Sequence, residues 1–441
     1  MAELELFPDS AAAAGGELAL GGVRASELAE EFGTPLVVYC EETLRARARA
    51  YLEAAPDALV LYSVKAFPSV GVLRLFAGLG LGADVSSGGE LAFALEAVVP
   101  GERIVVHGNN KSPEELRAAA SAGAWLVVLD APDEVELARA ADVQRVLVRV
   151  TPGIDVDTHP AIGTAHYGSK FGLPPEQALA VVARAREAGL DVAGLHVHLG
   201  SQLLELGAAR LAVDWLGAFA AECRERLAWT PSVIDVGGGL GIRYAAGDPR
   251  LPIREFVSTV LDRLGHAWRL HGLPTTRLVL EPGRSLVGEA GVTLYRVGVV
   301  KQASETTTYV AIDGGMSDNP RPQLYGARLS AAVAGRVGAA PDGVYTVCGK
   351  HCESGDVLID RVELPAPRRG DLLAVPGTGA YTLGMSSNYN ASPRPAAVLV
   401  AGGTARLLRR RESIGDLLSL EASTFSDMYA QDSPGDPRRP L

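Results

Sequence analysis

The chain is poor in sulfur and in large aromatics. Among its 441 residues are four Cys, four Met and four Trp. Four cysteines (Cys40, Cys223, Cys348 and Cys352) are too few to staple a fold of this length, so reduced thiols and a cytoplasmic setting are expected. There is no basic excess either: 52 acidic residues oppose 41 Lys and Arg, for a net charge of −11. That excludes the cationic footprint that nucleic acid or an anionic membrane surface requires. No apolar run approaches the ~18 residues of a membrane span, and the N-terminus lacks the charged-then-apolar layout of a signal peptide.

What the chain does have is a set of eight short apolar runs, each stopping at a polar, reactive or glycine-rich residue. They are 59-LVLYSVK-65, 80-GLGADVS-86, 103-RIVVHG-108, 125-WLVVLD-130, 145-RVLVRVT-151, 193-AGLHVHL-199, 232-SVIDV-236 and 277-RLVLEP-282. Rich in Val, Leu and Ile and too short for helices, they read as buried parallel strands. Helix-like stretches such as 88-GGELAFALEAV-98 and 175-PEQALAVVARAREAG-189 lie between most of them. Eight strand-then-helix units predict an α/β fold, a (β/α)8 TIM barrel, whose active site is built at the C-terminal ends of the strands. Those ends supply Lys65, Asp84, Asn109, Asp130, His198, Gly237 and Glu281.

The expected organisation is a barrel over 37–285 and a β-domain over 286–423. A segment over 1–36 packs with that β-domain, and a flexible Pro-, Ser-, Asp- and Arg-rich tail occupies 424–441. The second domain rests on the Val- and Thr-rich runs 291–301, 307–315, 343–349, 371–377 and 396–410, broken by Gly and Pro, which read as antiparallel strands. Gly402-Gly403 between two such runs is a hairpin signal.

Several of these residues carry chemistry. Lys65 ends an apolar strand, where a lysine is paired, covalently used, or snorkelling at the edge. His196 and His198, two apart, are expected on one side of their strand. They are either a zinc pair, for which no third ligand has an obvious spacing, or present a flat imidazole to an aromatic ring, with Ser201 donating to an anion. In 235-DVGGGLG-241 three consecutive glycines let backbone amides approach an anion, as late barrel loops do for phosphate. Glu281, before Pro282-Gly283-Arg284, needs a cationic or N–H partner. A protonated ring nitrogen is one such partner and Arg284 is another. Gly283 offers a close amide, and Arg284 is suited to a phosphate or carboxylate.

A lysine for a Schiff base, a stacking imidazole, a glycine loop for phosphate and a carboxylate for a pyridinium are the parts of a pyridoxal phosphate site. From about residue 17 to about 421 the chain resembles the fold-type III, barrel-type decarboxylases, most closely the diaminopimelate decarboxylase family. The motifs are 62-YSVKA-66, 84-DVSSGGE-90, 108-GNNK-111, 196-HVHLGSQ-202, 235-DVGGGLGI-242, 281-EPGRS-285, 313-DGGMSD-318, 349-GKHCESGD-356 and 386-SSNYN-390.

That resemblance implies pyridoxal 5'-phosphate as cofactor, and meso-2,6-diaminopimelate decarboxylated to L-lysine. It implies Lys65 as the lysine that joins the cofactor, and His198 as the stacking group. Ser201 with Gly237, Gly238 and Gly239 holds the phosphate, and Glu281 faces the ring nitrogen. Asp84 lies near the lysine. Arg284, Arg321 and Tyr325 contact substrate carboxylate, and Tyr381 touches phosphate and substrate. Cys352 and Glu353 reach the neighbouring subunit's site, implying a homodimer with shared active sites. A related decarboxylase of ornithine, arginine or lysine is the alternative. A racemase on the same fold would carry arginine, not Glu281, at the ring nitrogen. Phe67, where many relatives have Asn, and the 164-TAHYGSK-170 segment depart from the common pattern and bear on substrate choice.

Overall fold

In a computed structural model, residues 4–153, 169–198 and 200–421 are described. The expected tail over 424–441 and positions 164–168 lie outside them. Eight parallel strands close a barrel: Leu59–Ser63, Gly82–Val85, Ile104–Val106, Leu126–Leu129, Arg145–Arg149, Asp191–His196, Val233–Asp235 and Arg277–Leu280. The ring is shut by Val279 pairing with Leu59. Alternation along each strand divides the side chains into two layers. Leu59, Leu61, Val105, Leu126, Val128, Leu147, Val233 and Val279 fill the interior. Val60 and Tyr62 point outward into the layer under the helices. Ser63 continues the inward face of Leu59 and Leu61 and lines the cavity at the barrel's C-terminal end.

The helices start and stop where local chemistry dictates. Val70–Leu79 begins at Ser69, whose hydroxyl accepts from the Val72 N–H, and ends at Gly80 in the left-handed region (φ 101°). Pro113–Ser121 opens on a reciprocal Ser112/Glu115 cap with Pro at its first position. Ile253–Leu270 buries Phe256, Val257, Val260, Leu264, Ala267 and Trp268, a helical stripe facing the barrel.

A second sheet lies beyond the barrel. Its order is Val357–Leu364, Gly343–Cys348, Thr308–Ile312, Gly291–Gln302, Leu36–Cys40, Ala396–Ala401 and Thr404–Arg409; Leu372–Pro376 also pairs with Gly291–Gln302. It is mostly antiparallel. Two pairs are parallel: Thr308–Ile312 with Gly343–Cys348, and Leu36–Cys40 with Ala396–Ala401. Gly402 and Gly403, both at positive φ, turn the last hairpin. The expected barrel start at residue 37 falls within Leu36–Cys40, which pairs with this sheet. Alternation alone does not say which sheet an apolar strand joins. Val357–Leu364 is absent from the expected strands because Asp360 and Arg361 interrupt its apolar run. Arg361 is itself at positive φ, and the pairing register shifts nearby.

The N-terminal strands Ala11–Ala14, Glu17–Leu20 and Val23–Arg24 form a small sheet of their own. Leu18, Leu20, Val23 and Leu28 pack with Leu36, Val38, Val292, Leu294, Val398 and Val400 in one core.

One buried ion pair ties the third and fourth barrel strands together. Lys111 Nζ lies 2.8 Å from Glu134 Oε1 and donates to the carbonyls of Gly108 and Val128. Both side chains are nearly inaccessible, so removing one leaves the other's charge buried and unpaired. Lys111→Met is expected to cost about 3–5 kcal/mol, with much of the loss recovered in the Lys111→Met/Glu134→Leu double variant. Urea unfolding of the two variants checks this, and equal losses would refute it.

Candidate active site

The carboxyl end of the barrel opens into a cavity of about 280 Å³. Its wall includes Lys65, Asp84, His198, Ser201, Gly239, Glu281, Gly283, Arg284, Arg321, Tyr325 and Tyr381, which the sequence scatters over more than 300 positions. Gly237 and Gly238 stand directly behind it. Cys352 is exposed, and neither it nor Glu353 lines the cavity of its own chain.

Lys65 sits in a single 3-10 turn, Val64–Ala66, that follows the first strand. Val64 and Ala66 are buried on either side, which aims the lysine into the cavity. It is enclosed by the barrel wall yet accessible, because its side chain occupies open space. Burial draws its pKa down, but Tyr381, Asp84 and Glu281 outweigh that and hold it above the ordinary lysine value. Asp84 accepts from the Ser63 hydroxyl.

The glycine motif is required by contact, not by flexibility alone. A Cβ on Gly237 would meet His198 Nδ1 at 2.5 Å, and one on Gly238 would meet the Glu281 carbonyl oxygen at 2.4 Å. A Cβ on Gly239 would meet the Gly200 carbonyl oxygen at 2.8 Å. Gly237 and Gly239 are also at positive φ (66° and 110°). The turn, which follows the seventh strand, therefore runs flush against the chain leaving the sixth and eighth strands, and its Gly239 lines the cavity. Ser201 accepts from Arg284 Nη2 at 3.2 Å, beside this turn.

Glu281 does not pair with Arg284. Its Oε1 lies 2.6 Å from His107 Nε2, and its Oε2 lies 3.6 Å from His196 Nε2, too far for a hydrogen bond. Burial alone would raise the Glu281 carboxyl, but His107 beside it holds it well below the usual range. Burial, with Glu281 close by, pushes Asp235 and Asp84 upward. The imidazoles go the other way. Burial takes His196 down to about 3. Burial together with Lys65 and Arg149 takes His198 well below its ordinary value, so it offers a neutral ring face.

His196 thus joins a buried cluster with His107, Asp235 and Glu281, whose ligand atoms lie within 4.8 Å of one another. His198 stands apart from it, its ring 6.5 Å from that of His196.

Arg284 and Arg321 are buried against aromatic faces. Arg284 lies 4.8 Å from the Tyr381 ring and donates to the Tyr244 hydroxyl, while Arg321 lies 4.8 Å from the Tyr244 ring and 5.7 Å from that of Tyr325. In each, the buried Nε has no hydrogen-bond partner among the described residues.

Four neighbours escaped the sequence reading. His107 closes the third strand run and is buried, whereas Asn109, the end expected from sequence, is an exposed residue two positions on. Asp235 was the first letter of the glycine motif, and its Oδ1 accepts from the Gly237 N–H at 2.8 Å. Arg149, 4.7 Å from the Phe171 ring and 3.7 Å from Asp130, lies inside the fifth strand run with nothing in the sequence to single it out. For Tyr244 the sequence holds no signal.

Residues 41–288 match the family model described as pyridoxal-dependent decarboxylase, pyridoxal binding domain. That span takes in every strand of the barrel, and the chain belongs to this family of barrel-type decarboxylases. Within it the chain belongs with the diaminopimelate decarboxylases. It is 46% identical over 426 residues to diaminopimelate decarboxylase of Actinosynnema pretiosum subsp. auranticum, covering 95% of this chain and 96% of that one. It is 42% identical to that of Bacillus subtilis, covering 92% and 95%. Diaminopimelate decarboxylase of M. jannaschii, solved in co-complex with L-lysine, superposes with a TM-score of 0.88 at 33% identity, covering 94% of this chain and 98% of that one.

The family's cofactor is pyridoxal 5'-phosphate, and the residues here fit it. The cavity holds an accessible lysine, a neutral imidazole face and an ionised buried carboxylate. Its glycine turn has no room for a side chain at Gly237, Gly238 or Gly239, and the buried Nε groups of Arg284 and Arg321 have no partner among the described residues.

Proposed function

We infer that the protein decarboxylates meso-2,6-diaminopimelate to L-lysine and CO2, with pyridoxal phosphate held by the residues just described. One observation carries the substrate: two buried arginines, not one, line the cavity that holds Lys65. Arg284, bonded to Ser201, stands at the glycine-turn end, where an anionic phosphate belongs. Arg321 is then left for a second anion. The carboxylate that leaves as CO2 needs no lasting cation, whereas one retained in the product does. Ornithine, arginine and lysine have no second carboxylate. The M. jannaschii relative's co-complex with L-lysine agrees with this product.

Bound pyridoxal phosphate supplies an aldehyde carbon for the substrate amine and a ring that accepts the electron pair released with CO2. The chain does the rest. Lys65 would hold the cofactor through its side-chain amine. Gly237, Gly238, Gly239 and Ser201 grip the phosphate, with Gly283 and Tyr381 closing that side. His198 presents its neutral face to the ring, and Glu281 keeps a negative charge against the ring nitrogen. Asp84 stands near Lys65. Tyr325 and Tyr381 flank the arginines. Lys65 or Cys352 returns a proton to the α-carbon. Cys352 and Glu353 come from a second copy, so the working unit is a homodimer with shared sites. The four thiols are unpaired, in keeping with a reducing cytoplasm.

Arg321→Met tests the substrate assignment. Losing a charge-assisted contact is expected to raise KM for meso-diaminopimelate by about ten- to a hundredfold, with a smaller change in kcat. An unchanged KM would remove Arg321 from the substrate site.

A further inference from the structure

Glu281 is bonded by one side chain from the end of another barrel strand, and that side chain decides its state. His107 Nε2 lies 2.6 Å from Glu281 Oε1 and 3.8 Å from Asp84 Oδ1. We propose that His107 is a positioning residue for the cofactor's ring: its Nε2–H occupies one oxygen of Glu281 and fixes the acid as a charged carboxylate facing the cavity.

At 2.6 Å a single proton lies between the two atoms. If it sits on oxygen, Glu281 is neutral and gives no support to a ring cation. If it sits on nitrogen, Glu281 is charged and its orientation is fixed. The neighbours favour nitrogen. Three carboxyls, Glu281, Asp84 and Asp235, crowd this end of the barrel, and close acids do not all ionise. Asp235 and Asp84 are driven toward the protonated form, whereas Glu281 is driven away from it. His196 is neutral and 3.6 Å away, so it does not replace the bond. Lys65 and Arg149 add positive charge around the group without a bond to it.

The backbone holds the same frame. The Glu281 N–H donates to the Gly237 carbonyl at 2.8 Å, and the Gly237 N–H donates to Asp235. The ring-facing acid and the phosphate-facing turn are thus one unit, with His107 bracing the side chain across the barrel.

The inference rests on the pyridoxal phosphate reading, and the test separates the two. Full-length protein stripped of cofactor is titrated with pyridoxal phosphate, and separately with its 1-deaza analogue, in which carbon replaces the ring nitrogen. Absorbance and tryptophan fluorescence report binding. Wild type must bind pyridoxal phosphate with the absorbance of a lysine-linked cofactor, or the cofactor reading itself fails. His107→Phe keeps a ring and removes the N–H. Its affinity for pyridoxal phosphate is expected to fall about tenfold or more, with affinity for the deaza analogue unchanged. His107→Gln, whose amide N–H reaches toward the same oxygen, is expected to restore most of the loss. If His107→Phe does not fold, His107→Asn, too short to reach Glu281, takes its place against His107→Gln. Equal weakening of both ligands, or pyridoxal phosphate binding as tight as in wild type, overturns the proposal.

Discussion

Lys65→Ala leaves a folded protein that binds pyridoxal phosphate without a covalent link and turns over at least about a thousandfold more slowly. The lysine projects from a 3-10 turn into open space, and the packing at that turn belongs to Val64 and Ala66. Alanine therefore removes the amine and little else. The phosphate cradle, His198 and Glu281 are unaltered, so the cofactor still has an anion site and a ring site. Two spectroscopic consequences follow: the absorbance of the lysine-linked cofactor disappears, and borohydride no longer fixes cofactor to protein. Thermal melting should stay close to wild type. Turnover within tenfold of wild type, or persistent borohydride trapping, would remove Lys65 from its assigned role.

The second large effect concerns assembly. Cys352 and Glu353 sit in a loop whose base is tied down. The buried His351 lies 2.8 Å from Ser317 Oγ through its Nε2, its N–H donates to Asp356, and the Cys352 N–H donates to Asn390 Oδ1 at 3.1 Å. A loop so anchored presents its tip in a fixed direction, and that tip does not line its own chain's cavity. In a shared-site homodimer, Lys65→Ala and Cys352→Ala are each nearly inactive, yet a hybrid of the two holds one site with both residues intact. Purified through two different tags, that hybrid is expected to show about half of wild-type activity per dimer. A hybrid no better than its two inactive parents would mean that Cys352 serves its own chain, and an active Cys352→Ala parent would mean that it serves neither.

Much of the fold was legible because the barrel's strands are buried on both faces and so read as unbroken apolar runs. All eight runs are strands, and the two helices singled out between them are Gly88–Glu96 and Pro175–Glu187. The second sheet was less legible. Leu36–Cys40 is as apolar as a barrel strand but pairs with Gly291–Gln302, and only a contact across 250 residues reveals it. At the site, residues that stop a strand at a polar group were readable, as Lys65, Asp84 and Glu281 were. His107 and Asp235 act through Glu281 and the glycine turn. Their partners lie on strands far away in sequence, so no local spacing marks them. Arg321 and Tyr325 came from resemblance alone. Their short helix, Arg321–Tyr325, has no pattern that points to a cavity.

Substrate choice is the central claim, and product analysis tests it most directly. The cofactor-loaded protein is incubated with meso-diaminopimelate, and separately with L-ornithine, L-arginine and L-lysine, and CO2 and amine are measured. The account predicts CO2 and L-lysine from meso-diaminopimelate alone. Turnover of a basic amino acid with none of meso-diaminopimelate would contradict it, leaving the fold and cofactor in place. The second anion would then no longer be the reason for Arg321.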